Sequence, residues 1–308
     1  MAGQVGWKSE TTWGTAVTVD TFVPVTQSSF EVDEGYLRSN GLRGGRRTRG
    51  QGRLGARTIS GSTELELPNV SIAALMKHMF GTVNTTGAGP YTHTYSPGPH
   101  VGKSLTLQVG ITDATDTVRP FTASGVKLGG WEISCKVGEL AMLKFDWTGK
   151  DLVTATALAS ASYAATLIPF TFIEGSVTVN GSAVASANGV TLSASKNLRD
   201  KRHVLGSRYI REQLEDDFFD FTTEITADFD DLTLYALSVA GTQVASVLTF
   251  NNGTETLKIT TSGQVIGDPP SLTRVGLEEQ TIRLEHSSAT SDASTISAEL
   301  VNTEASAA

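Results

Sequence analysis

Apolar and polar residues alternate along residues 59–67, and a period of two predicts a strand with one buried face. The inner face would comprise Ile59, Gly61, Thr63, Leu65 and Leu67, and the outer face Ser60, Ser62, Glu64 and Glu66. Pro68 ends the pattern because proline cannot donate to a strand ladder.

A helical period follows at once. Ile72, Leu75, Met76 and Met79 are spaced i, i+3, i+4 and i+7, which places them on one face of a short amphipathic helix. Asn69 or Ser71 is the expected N-cap. Gly81 is expected to end the helix, since glycine readily adopts the left-handed conformation found there.

The same succession of periods returns 160 residues later. Alternation over residues 219–227 predicts a second half-buried strand, with Glu224 on its polar face. Asp230 or Asp231 is the expected N-cap of a second helix that ends at Gly241. The apolar positions of this helix are Leu232, Tyr235, Ala236 and Val239.

The surrounding segments also recur. A basic segment precedes each strand–helix unit, and a strand follows each helix, at Leu105–Val109 and at Val247–Phe250. Asn252-Gly253 predicts a hairpin turn. Small residues fill 154–165, which is typical of a linker. We therefore predict a mainly β protein of two tandem β-rich domains, residues 1–155 and 156–308, each with one flanking short α-helix.

Composition limits the class of protein. Of the 308 residues, 18% are charged, which is low for a globular chain and suits a surface covered by neighbours. We expect neither a secretory signal nor a membrane-spanning helix. The single cysteine, Cys135, is expected to be buried in a strand, in keeping with a reducing cytoplasm.

Charge is distributed unevenly. Seven arginines and no acid occupy the Arg-rich segment 38–57, and removing these charges changes the net charge from −8 to −15. A second basic segment covers 196–212. We predict that both segments contact acidic surfaces of other subunits. The candidate contact residues are Arg38, Arg43, Arg46, Arg47, Arg49, Arg53, Arg57, Arg199, Lys201, Arg202, Arg208 and Arg211.

Catalytic and cofactor patterns lack their required context. Gly50–Gly55 matches the spacing of a dinucleotide-binding loop, but an Arg-rich loop precedes it and a strand follows it. The acids near Asp228 lack the spacing of a calcium loop. The histidines show no metal-ligand spacing, and His93 and His100, which flank a Pro-Gly turn, are expected at the surface. We therefore predict no enzyme activity, no cofactor and no metal.

Several segments taken together resemble phage tail tube proteins of siphovirus type, those of long non-contractile tails. The resemblance is dense over residues 6–150 and thinner to the end of the chain. The segments that carry it are GWKSETTWGTAVTVDTFVPV, GLRGGRRTRG, ELELPNVSIAALMKHMFGTV, GPYTHTYSPGPHVGKSLTLQVG and RPFTASGVKLGGWEISCKVGE.

That resemblance implies a β-barrel or sandwich in each unit, with a sheet that joins its neighbours to line a tube. Rings would stack into the tail of a virion assembled in the bacterial cytoplasm. A long loop of each subunit would reach the adjacent ring, so the contacts of the basic segments would lie between rings or between subunits of one ring. The tail terminator, tape measure and baseplate or distal tail proteins would be further partners, and DNA would pass through the lumen without specific binding.

Such proteins usually form sixfold rings, so a chain with two units would form a trimeric, pseudo-hexameric ring. Glu64, Glu66 and Glu224 are candidate lumen residues, because acids would repel DNA phosphates. The alternative for these residues is an ordinary solvated outer face.

An alternative function from another class remains open. The Arg-rich segment is also typical of a monomeric β-rich protein that binds nucleic acid or another anionic surface. Self-assembly independent of nucleic acid would distinguish the tube component from this monomer.

Overall fold

The computed structural model describes residues 3–41, 44–45, 47–230, 232–266, 279–287, 291 and 295–306. The protein is mainly β, as predicted. The first half contains one helix, α1 (Ala73–Phe80), which lies between β6 and β7. Its strands are β1 (Gln4–Ser9), β2 (Thr21–Phe22), β3 (Gln27–Asp33), β4 (Tyr36–Leu37), β5 (Arg53–Leu54), β6 (Thr58–Glu66), β7 (Gly81–Thr86), β8 (Tyr91–Pro97), β9 (Leu105–Thr112), β10 (Val118–Lys136), β11 (Met142–Gly149) and β12 (Asp151–Val153).

The second half begins with a short 3-10 turn, Phe172–Glu174, and contains helix α2 (Thr233–Ala240) between β18 and β19. Its strands are β13 (Gly175–Val179), β14 (Ser182–Ala183), β15 (Ala187–Ser195), β16 (Leu198–Arg199), β17 (Leu214–Glu215), β18 (Asp220–Asp228), β19 (Gln243–Asn251), β20 (Thr256–Ile266), β21 (Glu279–His286) and β22 (Ile296–Asn302). The turn predicted at Asn252-Gly253 connects β19 to β20, as expected.

Eight strands from both halves form one wide antiparallel sheet in the order β3-β6-β11-β10-β15-β18-β21-β20. The period-two alternation explains why this sheet forms, because it gives every strand one apolar face. One row of paired residues on the inner face crosses seven strands, and all of its members are buried: Leu65, Leu143, Ile133, Leu192, Thr223, Leu284 and Val265.

The two halves meet in this sheet. β10 of the first half pairs with β15 of the second, from Gly130 opposite Ser195 to Lys136 opposite Gly189. A second junction lies in the ladder between β22 and β8. Burial of the shared apolar rows therefore holds the halves together.

The pairing pattern of the first half recurs in the second. The ladders β2-β1-β9-β10-β12 and β10-β11-β6-β3 correspond in order to β14-β13-β19-β20-β22 and β20-β21-β18-β15. The connections 34–57 and 196–219, which join β3 to β6 and β15 to β18, are both 24 residues long. The division into two domains stays a prediction, and this correspondence supports it.

The described strands do not close a barrel. Of the two expected forms, barrel or sandwich, the barrel is therefore wrong. Starting from any strand and following the ladders of the described residues, no path returns to its origin. The result is a branched, open network whose outer strands have one free edge.

Both helices end where the glycines predict, but their predicted N-caps are wrong. Gly81 has a φ of +109° and Gly241 is left-handed. The N-cap residues are instead Ile72 and Leu232, and neither makes a side-chain cap hydrogen bond. Asp231 lies outside the described residues. Burial of apolar side chains decides where α1 begins, since the helix is packed against β8 and β10.

Two predicted surface histidines are buried, so that prediction is wrong. His93 lies in β8, where its ring nitrogens contact Thr85 Oγ1 at 2.8 Å and the Glu304 carbonyl at 3.0 Å. His100 is covered by the 196–219 connection. Both are enclosed by segments more than 100 residues away along the chain, which local turn patterns do not reveal.

Candidate assembly surfaces

The outer face of the wide sheet is polar from edge to edge. One row of paired residues crosses all eight strands: Gln27, Glu64, Lys144, Glu132, Ser193, Thr222, Glu285 and Gln264. None of these side chains belongs to the core. We call this surface, carried by the alternate residues of β3, β6, β11, β10, β15, β18, β21 and β20, the polar face.

Carboxylates dominate the polar face. Within the ladders of the wide sheet its acids are Glu31, Asp33, Glu64, Glu66, Glu132, Asp146, Asp220, Glu224, Asp228, Glu279 and Glu285. The bases in the same ladders are Lys127, which the 196–219 connection covers, and Lys136, Lys144 and Arg283. Glu64 lies opposite Lys144, and Glu224 lies opposite Arg283. The excess of acid gives this face a negative potential.

The three candidate lumen residues therefore share one surface. Glu64 and Glu66 lie on β6, and Glu224 lies on β18, further across the same sheet. Whether this face lines a lumen depends on the assembly, so the assignment of these residues remains a proposal.

Two strands of the wide sheet have unpaired outer edges in the described part of the chain. β3 pairs only with β6, and none of its side chains is buried. Its counterpart β15 has partners on both sides and buries Val190, Leu192 and Ala194. On β20, the ladder with β19 ends at Gln264. Val265 and Ile266 pair with β21 on one edge and have no partner on the edge that faces β19. Exposed strand edges of this kind are templates for pairing with another chain.

Several of the predicted contact residues have partners within the chain. Glu34 joins the two long connections, because it pairs with Arg57 at 3.2 Å and also with Arg208. Arg57 further contacts Asp151 at 2.6 Å, and its backbone N–H donates to the Arg208 carbonyl at 2.7 Å. These contacts tie both connections to the sheet.

The other basic residues are more exposed. Arg199 pairs with Asp216 at 3.5 Å, Arg202 donates to the Glu212 carbonyl, and Arg38 lies 5.4 Å from the centre of the Tyr36 ring. The exposed remainder comprises Arg47, Arg49, Arg53, Lys201 and Arg211. Arg43 and Arg46 lie outside the described residues. A contact with another subunit remains a prediction for the whole set.

A buried polar cluster fixes the 196–219 connection onto the first half. Lys127 on β10, with only 3% of its side chain exposed, donates to Glu212 Oε1 at 2.7 Å. Its ammonium group also donates to the carbonyls of His100 at 2.7 Å and Gln213 at 2.9 Å. Burial lowers the pKa of Lys127. Burial alone would raise the pKa of Glu212, but hydrogen bonds from Lys127 and the Gly102 N–H hold it below its ordinary value.

The same cluster contains a fully buried lysine and two neutral histidines. Lys196 donates to the His78 carbonyl, and burial lowers its pKa well below the ordinary value. Burial, aided by the charge of Lys196, lowers the pKa of His78 to about 3 and that of His100 to about 2. Sequence reasoning missed this cluster. The available signal was Lys127, a lysine between two apolar residues in the stretch 126–128.

Neither helix of the described chain has the length and apolar character that crossing a bilayer requires. Within the same residues, no group of three or more His, Cys, Asp or Glu side chains could hold a metal ion.

The described part of the chain is mainly β, with an acidic sheet face, two free edges on its wide sheet and a duplicated ladder pattern, and free strand edges are open to pairing with another chain. Comparison with known families identifies it further. Residues 2–299 match the phage tail tube protein family, so this chain belongs to that family. It is accordingly a structural component of the virion tail and not an enzyme. A search of curated proteins found no match.

Proposed function

We propose that three copies of this chain form a closed ring, and that stacked rings form the tube of a long, non-contractile phage tail. The observation that carries this proposal is the junction between β10 and β15 inside the chain. β20 corresponds to β10, and β3 corresponds to β15, so the two free edges are the counterparts of strands that already pair. Pairing of β20 with β3 of the next copy would repeat the internal junction between chains.

The stoichiometry follows from the duplication. Each chain supplies two units to the ring, so three chains supply the six units that tube proteins of this kind usually contain. The β7–β8 hairpin supports a threefold rather than a sixfold repeat. In the first half this hairpin lies between α1 and β9. In the second half β19, the counterpart of β9, begins only three residues after α2 ends, so the hairpin has no counterpart there.

The polar face would then line the lumen. Its carboxylates, including Glu64, Glu66 and Glu224, would repel the phosphates of passing DNA and keep it from adhering. The inner apolar rows would remain in the core. Tube assembly would take place in the bacterial cytoplasm, with the tail terminator, the tape measure protein and the baseplate or distal tail proteins as further partners.

Native mass spectrometry of the purified protein over a concentration series tests the ring. We expect a species of three chains that forms without nucleic acid, and larger species in multiples of three. Rings of six whole chains would refute the trimer but retain the tube. A protein that stays monomeric and shifts DNA in a gel would instead favour the nucleic-acid-binding alternative.

A further inference from the structure

The 196–219 connection shows how one unit of this protein covers the unit before it. The connection leaves β15 and lies across β10 and β11, which precede β15 in the wide sheet. Gln213 is fully buried there, and its Nε2 lies 3.3 Å from both the carbonyl and the Oγ1 of Thr148 on β11. The neighbouring Glu212 accepts from Lys127 of β10.

The 34–57 connection carries a similar sequence signature 162 residues earlier. Residues 46–51 read RRTRGQ and residues 208–213 read RYIREQ, so an Arg, an Arg and a Gln coincide. The same spacing relates β6, Thr58–Glu66, to β18, Asp220–Asp228, over nine residues each. It also relates β4 to β16, and it relates β5 to β17 to within one residue. Gln51 is therefore the counterpart of Gln213.

The ladder register identifies the counterpart of Thr148. Thr148 lies opposite Ser60 of β6, and Glu285 of β21 lies opposite Thr222 of β18. Because Ser60 and Thr222 are also 162 residues apart, Glu285 occupies the position of Thr148 in the second unit. Both Gln51 and Glu285 are exposed in the single chain.

We infer that the 34–57 connection of one copy lies across β20 and β21 of a neighbouring copy in the same ring, with Gln51 donating a hydrogen bond to Glu285. This inference rests on the proposed ring. It assigns the Arg-rich segment a lateral contact, and the partner is a second copy of this chain.

The exposed apolar side chains of the β4–β5 ribbon also support a second copy of this chain as the partner. The β4–β5 ribbon leaves Tyr36, Leu37 and Leu54 at 59%, 65% and 61% exposure. In the β16–β17 ribbon, which lies against the preceding unit, Leu198 and Leu214 are only half-exposed. Docking of the first ribbon on a neighbour would cover its three apolar side chains in the same way.

Charge favours the contact as well. Arg49 and Arg53 flank Gln51, and the receiving strand β21 exposes Glu279 and Glu285. Within one chain, the ion pair that Glu285 makes is with Arg283 at 3.4 Å, and both side chains are more than half exposed. Such a pair contributes little, so Glu285 remains available to a stronger partner.

Site-specific cross-linking tests the contact. In a Cys135→Ser background, Gln51→Cys and Glu285→Cys are combined, and assembled rings are treated with a short bismaleimide. We expect covalent species of two and three chains on a denaturing gel. Gln213→Cys with Thr148→Cys is the matched control, which should cross-link within one chain and leave its mass at that of a monomer.

A second variant pair protects the test against failed labelling. Gln51→Glu should weaken ring formation at least about tenfold by placing two carboxylates together, and Glu285→Gln in the same chain should restore it. Rings that form normally but show neither inter-chain cross-links nor this rescue would overturn the inference alone. Failure of the unmodified chain to form any ring would instead overturn the proposed function.

Discussion

Replacing Lys127 by methionine removes the cation that fixes the 196–219 connection to β10. Methionine keeps the apolar stem of the side chain but leaves Glu212 and the carbonyls of His100 and Gln213 without their shared donor. Removing one partner of a buried ion pair costs about 3–5 kcal/mol. Glu212 is 23% exposed and retains the Gly102 N–H, so we expect about 3 kcal/mol, the lower end of this range.

Urea denaturation of the monomeric chain, followed by tryptophan fluorescence, measures the overall loss of stability. Hydrogen exchange measures it locally: amides in 196–219 should exchange about a hundredfold faster, since about 1.4 kcal/mol corresponds to a factor of ten. Lys8→Met is the matched control, because Lys8 and Asp20 form an exposed pair worth about 0–1 kcal/mol.

Combining Lys127→Met with Glu212→Gln should restore part of the stability, because the unpaired carboxylate is then neutral. If Lys127→Met costs no more than Lys8→Met and exchange in 196–219 is unchanged, the cluster does not hold the connection. The template for the inter-subunit contact would then be lost as well.

Three further predictions follow from other parts of the chain. Lowering the pH from 7 to 5 should cost about 2 kcal/mol through His78, whose pKa falls from 6.5 to about 3 on folding; His78→Gln should reduce the acid sensitivity in urea titrations by that amount. Gly61→Ala should cost about 1–3 kcal/mol in the same assay, because a Cβ there would meet an indole carbon at 2.4 Å, whereas Gly44 has open space and its alanine variant should be neutral. Glu64→Lys with Glu224→Lys should make assembled tubes retain DNA in a salt-dependent manner, measured by co-sedimentation.

The direction of each effect is fixed by its cause. The protonated form of His78 is favoured in the unfolded chain, so its contribution is intact above pH 6.5 and is lost as the pH falls toward 3. An unchanged acid slope in His78→Gln would contradict this.

Asp116→Lys, in an exposed turn away from the wide sheet, is the control for the DNA assay. Equal DNA retention by that variant would argue against a lumen on the polar face.

Periodicity predicted the parts of the fold whose information is local. The alternation at β6 and β18 and the glycines that end α1 and α2 all correspond to elements in the structure. The β7–β8 hairpin was not predicted, because its threonine-rich strands show little apolar alternation and are covered by β22 from the far end of the chain.

The candidate site was only partly predictable for the same reason. Strand phase alone predicts that Glu64, Glu66 and Glu224 lie on polar strand faces. It does not predict that they share one continuous sheet, since that depends on the junction between β10 and β15. The ion pair of Lys127 with Glu212 spans 85 residues of sequence. No local pattern specifies such a contact, although a buried lysine always needs a partner for its charge.

Electron microscopy of the purified protein, with averaging along and around any tubes, tests the central claim most directly. Stacked rings of three chains are predicted, with six similar units and a threefold modulation from the β7–β8 hairpin. Strict sixfold rings of six whole chains would contradict the assignment of two tube units to each chain.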